Sequence, residues 1–352
     1  MSSQDLPDHE IQNIIGPVAN WSVMKYLGLL LLVLSLALVC YPRFDRQDLG
    51  PIKNLVGKEI GKPSLGDSPL YVRYVDYFRG KAEITEIDLP FRYRPLAPLI
   101  ASVLPIENPM TALNVVNLCC LYIALFFLFR FLKYLRFSFR YALGGCFMFS
   151  VSFQTFYYST IGGVDPVFIC FLVLGSYFIF TERWWHLTLV LLLGALAKEV
   201  IVLLIPLALV FLWKNERPYK AKLAIFLLAY LLPILLLRYL FRETGYYNWF
   251  PSIEMLAKNI RPRALLSVVL TFGLPGFLSL GFAWYYKELR KLTDERLIIP
   301  LLSGIFFTIL LTLYSAVTAH TDGRFVWPMV VYSIPLSLWF VREWPGMRVR
   351  HH

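Results

Sequence analysis

Apolar runs of about membrane-span length alternate with short polar joints along almost the whole chain. They fall near 23–42, 110–131, 138–158, 165–181, 186–198, 200–213, 219–240, 265–285, 297–318 and 326–341. A helix needs roughly 20 consecutive apolar residues to cross a bilayer core of about 30 Å. The pattern therefore predicts an all-α polytopic membrane protein of about ten transmembrane helices, two of them short, and residues 1–352 read as a single integral-membrane domain. One connection departs from the short joints: 43–108 is long, amphiphilic and rich in Pro and Gly. A connection of that length is usually functional when the others are short. No internal repeat is visible.

The run HLTLVLLLGALAKEVIVLLIPLALVFLW, residues 186–213, poses the sharpest question, because Lys198 and Glu199 interrupt it near its middle. As one straight helix it would be about 42 Å long at 1.5 Å per residue. Both charges would then lie deep in lipid, at a cost of roughly 2.5 to 3.5 kcal/mol each. The joints RFLKYLRFSFR (130–140), KNERPYK (214–220), KELRKLTDER (287–296) and REWPGMRVR (342–350) are all basic. Basic joints mark the cytoplasmic side, and these four share a side only if 186–213 is a hairpin. The expectation is two short helices meeting at Lys198 and Glu199 on the extracytoplasmic side, with both termini cytoplasmic.

Composition agrees with this picture. The chain is 58% hydrophobic and 16% charged, against roughly 25% charged in soluble domains. Its net charge of +11 comes from basic residues scattered between spans rather than from a basic domain, which reads as orientation in the membrane and not as nucleic-acid binding. Cys40, Cys119, Cys120, Cys146 and Cys170 all sit in apolar runs and read as small packing residues rather than a disulfide framework or metal site. The first 20 residues are polar and the apolar run after them has no small-residue cleavage site, so the first span is expected to be retained.

With that orientation one face collects Asp45, Asp67, Arg92, Arg94, Asp165, Lys198, Glu199, Arg242, Glu243, His320, Asp322 and Arg324. Cations beside carboxylates suit a reaction in which a phosphate leaves and a hydroxyl loses a proton. Asp67 precedes an amphipathic stretch carrying Tyr71 and Tyr74. It reads either as a general base or as a helix N-cap, since Asp-Ser-Pro is good capping grammar. Arg92 and Arg94 flank Tyr93; in an extended segment they would share a face and meet one phosphate, or else snorkel to headgroups. Asp165 lies between a Gly pair and Pro166, where turn chemistry competes with a direct role. His320 and Arg324 lie four apart between two spans, placed for anion contact or for simple solvation. Tyr246, Tyr247, Trp249 and Phe250 read as a membrane-edge belt or a lid.

The order of these elements resembles the GT-C glycosyltransferases: a first span, a long loop with an early acidic residue, PFRYRPLAPLIASVLP (90–105) as a helix, a KE joint and a late loop, AHTDGRFVWP. That late loop is similar to the HKE-x-RF loop of mannosyltransferases in the class, with Thr321 and Asp322 in place of Lys and Glu, so the likeness does not extend to a mannose donor. The resemblance implies transfer of a sugar from a polyprenyl-phosphate carrier in the membrane lipid to an acceptor on the extracytoplasmic side, with inversion. It makes Asp67 the base, with Asp45 as runner-up. Arg92, Arg94, Lys198, His320 and Arg324 become donor-phosphate ligands, with Tyr71, Asp165, Glu199 and Asp322 as further site candidates. Some members of the class use a divalent cation and others need none; the sequence has no HExxH or tight carboxylate cluster, so metal dependence stays open. Two rival readings are a transporter or flippase of a lipid-linked or anionic substrate, and an assembly subunit without catalytic residues.

Overall fold

A computed structural model describes residues 67–158, 163–215, 219–242, 250–291, 294–319 and 323–350, with residues 28, 32, 52, 53 and 59–61. Nearly all of the expected first span lies outside the described residues, as do Asp45, Glu243, Tyr246, Tyr247, Trp249, His320 and Asp322. Ile52–Lys53 and Glu59–Gly61 form a minimal antiparallel pair. Every other regular element among the described residues is helical. The helices are α1 (Ser68–Phe78), α2 (Leu96–Ser102), α3 (Pro109–Tyr134), α4 (Phe139–Ser150), α5 (Phe153–Tyr158), α6 (Asp165–Phe180), α7 (Trp184–Ala197), α8 (Leu204–Asn215), α9 (Tyr219–Leu240), α10 (Ile253–Asn259), α11 (Pro262–Trp284), α12 (Tyr286–Leu289), α13 (Glu295–Thr318) and α14 (Trp327–Arg350).

Four of these, in α3, α9, α11 and α13, are long and apolar enough to cross a membrane. Their ends follow local grammar: the Asn108 side chain accepts from Thr111 N at 3.1 Å to open α3, and the Asp294 side chain accepts from Arg296 N at 2.8 Å to open α13. On α9, Leu228, Leu232, Leu235 and Tyr239 lie outward and more than half exposed at three- and four-residue spacing. Leu266, Phe277 and Leu280 on α11 and Phe306 and Leu313 on α13 are exposed likewise. Apolar stripes of this extent face lipid rather than water.

The hairpin at Lys198 is a feature of the fold. Lys198 leaves the α7 conformation at φ −165°, ψ 132°, a 3₁₀ turn follows over Glu199–Leu203, and α8 then runs back. The reversal brings the Trp184 and Phe211 rings to 6.2 Å and the Phe180 and Phe211 rings to 5.5 Å. Gly194 permits the tight reversal, because a Cβ there would lie 2.7 Å from Ile201 Cγ1.

Other expectations are corrected. Among the described residues four helices are both long and apolar enough to span, while α6, α7 and α8 have 16, 14 and 12 residues, about 18 to 24 Å at 1.5 Å per residue and short of the bilayer core. The run 138–158 divides at residues 151–152 into α4 and α5. The α11 helix breaks at Gly273, φ 51°, two residues before Pro275. PFRYRPLAPLIASVLP is a 3₁₀ turn, Phe91–Tyr93, followed by α2 rather than one helix. Pro95 disfavours a helical residue before it, and Arg94 takes φ −125°, ψ 57°.

The described parts of three basic joints, 130–140, 287–296 and 342–350, gather at one end. Tyr285 packs on Trp344 at 5.5 Å, the Arg342 guanidinium lies 5.5 Å from the Phe137 ring, and Phe131 packs on Phe180 at 4.9 Å. At the other end α1, α2 and the starts of α3 and α6 pack together through Tyr71, Val75, Ala97, Ala101, Leu113 and Val167, with Ala197 at the end of α7. The long α9 continues past this level. Tyr230 OH donates to the Glu199 carbonyl at 3.0 Å, which leaves the last ten residues of α9 beyond it, about 15 Å of helix. Arg238, near the tip of α9, reaches within 6.0 Å of the Tyr93 ring. The Lys198–Glu199 break is thus recessed below the tip of α9, beside the segment that carries α1 and α2.

Gly194→Val tests the reversal. Overpacking against Ile201 should cost about 1 to 3 kcal/mol, read as a lower melting temperature in detergent, whereas Gly144→Ala, where nothing lies within 4 Å of the new Cβ, should leave it near wild type.

Candidate functional site

Four segments far apart in sequence meet at the recessed end, and each brings a charge. Arg324 Nη1 donates to Asp67 Oδ2 at 2.8 Å and lies 3.9 Å from Asp165 Oδ2. The other oxygen of Asp165 accepts from Lys198 Nζ. Next in the chain, Glu199 is held by both arms of Arg94: Nε donates to Oε2 at 2.9 Å, and Nη2 donates to Oε1. Arg94 Nη1 also donates to Tyr71 OH at 3.1 Å. Among the described residues three carboxylates and three cations thus form one network, continuous through the Lys198–Glu199 peptide bond.

Local structure explains each position. Asp67 occupies the N-cap position of α1 but makes no side-chain cap hydrogen bond; its carboxylate turns to Arg324 instead. Capping does not account for this residue. Asp165 opens α6, and its carboxylate likewise serves no cap and goes to the two cations. Arg324 sits in a 3₁₀ turn, Gly323–Phe325, pressed against α11: Gly323 N donates to Ser267 Oγ at 2.9 Å, and a Cβ on Gly323 would come within 2.5 Å of the Ser267 carbonyl. Thr312 Oγ1 fixes the other side of the turn by donating to the Phe325 carbonyl at 3.1 Å. Glycine at 323 is therefore what lets the arginine reach the carboxylates.

Exposure grades along the network. The Asp67 side chain is 31% exposed and that of Arg324 18%, while that of Asp165 is 9% exposed. At the other end the Glu199 side chain is 28% exposed, so the two ends of the network are open and the Lys198–Asp165 pair lies inside. Burial holds the Tyr71 hydroxyl proton well above its ordinary range, against the opposing pull of Arg94. Tyr71 therefore stays neutral and serves as a hydrogen-bonding prop.

Arg92 does not join its neighbour. Phe91–Tyr93 is a 3₁₀ turn that Arg94 leaves at φ −125°, ψ 57°, so the strand alternation that would put both arginines on one face is absent. Arg92 is buried; its Nε donates to the Ile87 carbonyl and its Nη2 to the Thr85 carbonyl at 3.1 Å. It staples the 84–87 turn and neither shares a phosphate with Arg94 nor snorkels to headgroups. Of the sequence candidates, the structure brings together Asp67, Tyr71, Arg94, Asp165, Lys198, Glu199 and Arg324; Asp45, His320 and Asp322 lie outside the described residues.

Sequence reasoning missed the aromatic walls. The Phe168 and Phe325 rings each stand 5.8 Å from Lys198 Nζ, close enough for cation–π attraction. The F of the RF pair was the available signal for Phe325; Phe168 and Tyr230, in apolar runs, gave none. Among the described residues no group of three or more His, Cys, Asp or Glu is arranged to hold a metal ion. Comparison with protein-family profiles, with curated proteins and with solved structures finds no match to this chain.

The Arg94–Glu199 pair is open to a double-mutant cycle. Arg94→Ala strands a partly buried carboxylate and should cost about 3 kcal/mol of stability. Glu199→Gln added to it should cost at least 1 kcal/mol less than the sum of the single changes, a coupling of the usual size for contacting charges, about 0.5 to 3 kcal/mol. Additive losses in melting temperature would mean that the pair does not hold the α1–α2 segment to the α7–α8 break.

Proposed function

We propose that this protein is an integral-membrane glycosyltransferase that moves a sugar from a polyprenyl-phosphate donor to an acceptor hydroxyl or amide, with inversion at the anomeric carbon. The observation that carries the reading is the Asp67–Arg324 pair: a reachable carboxylate and a guanidinium 2.8 Å apart at the recessed end of the bundle. In this mechanism Asp67 takes the proton of the acceptor. The acceptor atom bonds to the anomeric carbon as the bond from that carbon to the phosphate oxygen breaks. The electron pair leaves on the phosphate, beside Arg324 and within the field of Lys198, where fixed cations stabilise the developing charge. A single displacement inverts the centre. The recess suits a lipid-linked donor whose phosphate sits below the headgroup level while its prenyl chain stays in lipid.

Two further parts of the reading concern the membrane. The basic joints take the cytoplasmic side, by the bias of Lys and Arg toward short cytoplasmic loops, and the charge network takes the other. The rival transporter reading draws on the helix breaks at Lys198 and Gly273. The one-ended gathering of the charges supports transfer over transport.

Asp67→Asn should reduce release of polyprenyl phosphate from a panel of polyprenyl-phosphate hexoses by about 10² to 10⁴, the usual cost of losing a general base. Its melting temperature should stay near wild type, because a partly exposed ion pair is worth no more than about 1 kcal/mol. Full activity in the variant, or movement of lipid-linked sugar across vesicles without cleavage in the wild type, would sink the reading. Orientation has its own measurement. In a background with the native cysteines replaced by Ser, Glu107→Cys and Lys291→Cys, both at exposed positions, should react with an impermeant maleimide from opposite sides of the membrane. Reaction of both from one side would remove the topology.

A further inference from the structure

We infer that Asp67 and the donor phosphate compete for Arg324, so that the ion pair masks the base until the substrate's phosphate takes its cation. This rests on the glycosyl-transfer reading of the site.

The two carboxylates around Arg324 are not equivalent. Asp165 is wedged between Lys198 and Arg324 and is buried, so it holds its place whichever way Arg324 turns. Asp67 is the more exposed of the two, stands at the start of α1 and has no cap hydrogen bond to keep its side chain there. Arg324 Nη1 faces both, at 2.8 and 3.9 Å. An anion arriving at this nitrogen can displace Asp67 while Asp165 still anchors the guanidinium.

Charge balance runs the same way. Among the described residues the network sets Asp67, Asp165 and Glu199 against Arg94, Lys198 and Arg324. A donor phosphodiester brings one negative charge. When the glycosidic bond breaks, the phosphate gains a second, while Asp67 becomes neutral by accepting the acceptor's proton. The net charge of the site is therefore the same before and after the step. One negative charge has moved from Asp67 to the phosphate, across the guanidinium that touches the first and receives the second.

The consequence separates binding from turnover. Purified protein in detergent is titrated with farnesyl phosphate, a short analogue of the leaving group, in parallel with the release assay on polyprenyl-phosphate hexoses. Asp67→Asn, which keeps the shape and removes the competing charge, should bind farnesyl phosphate roughly ten- to a hundredfold more tightly than wild type, as for a charged hydrogen bond no longer contested, while losing turnover. Arg324→Lys should bind more weakly than wild type, since an ammonium cannot form the two-pronged contact. In the double variant the tightening from Asp67→Asn should shrink. Equal or weaker binding by Asp67→Asn, with wild type binding and turning over, overturns the competition and leaves the function standing. A wild type that neither binds farnesyl phosphate nor releases polyprenyl phosphate takes both down.

Discussion

An ionised group between apolar helices has to find its counter-charge inside the protein, because lipid supplies none and water reaches it only in part. Much of what is unusual in this fold follows from meeting that constraint with partners drawn from distant parts of the chain. Asp67 and Arg94 come with the segment before α3, Asp165 from the start of α6, Lys198 and Glu199 from the hairpin and Arg324 from the turn before α14. For these to meet, α7 and α8 must stop short of a full span, and the 67–108 segment must pack down beside the tip of α9.

Within the network the pairs have different work. Lys198–Asp165 is enclosed, with aromatic rings near the ammonium, and acts as the fixed point. Arg94–Glu199 is a two-pronged strap that ties the α1–α2 segment to the hairpin, with neutral Tyr71 bracing the guanidinium. Asp67–Arg324 is the partly exposed pair that joins α1 to the turn before α14. The break in α11 is of another kind: Ser337 Oγ of α14 donates to the Pro275 carbonyl at 2.6 Å, which ties the helix to α14 just past the break at Gly273.

The sequence carried the hairpin because two charges inside a membrane-grade run have few tolerable placements, and the basic joints removed one of them. It carried α9 and α13 almost to the residue, since long apolar runs with polar ends leave little choice. It did not carry the internal breaks at 151–152 and Gly273, because an apolar run reads the same whether its helix is straight or interrupted. Nor could it separate Arg92 from Arg94. That distinction depends on a 3₁₀ turn fixed by the prolines around it and on carbonyls from 85 and 87 that only the folded segment brings near. Asp67 was legible as a candidate, but that its carboxylate makes no cap bond was not, because its direction is set by Arg324, 257 residues further along the chain.

The order in which the chain is made gives the turn at Gly323–Phe325 a further meaning. Every other charge of the network precedes it, so a growing chain that has already inserted the hairpin holds three carboxylates against two cations. The bundle remains electrically unfinished until the last of its partners emerges. Arg324 then closes it only if Gly323 lets the turn settle against α11. The charge balance among the described residues thus waits on a turn that follows α13, and a chain cut short before this turn would leave Asp67 without the cation it meets here.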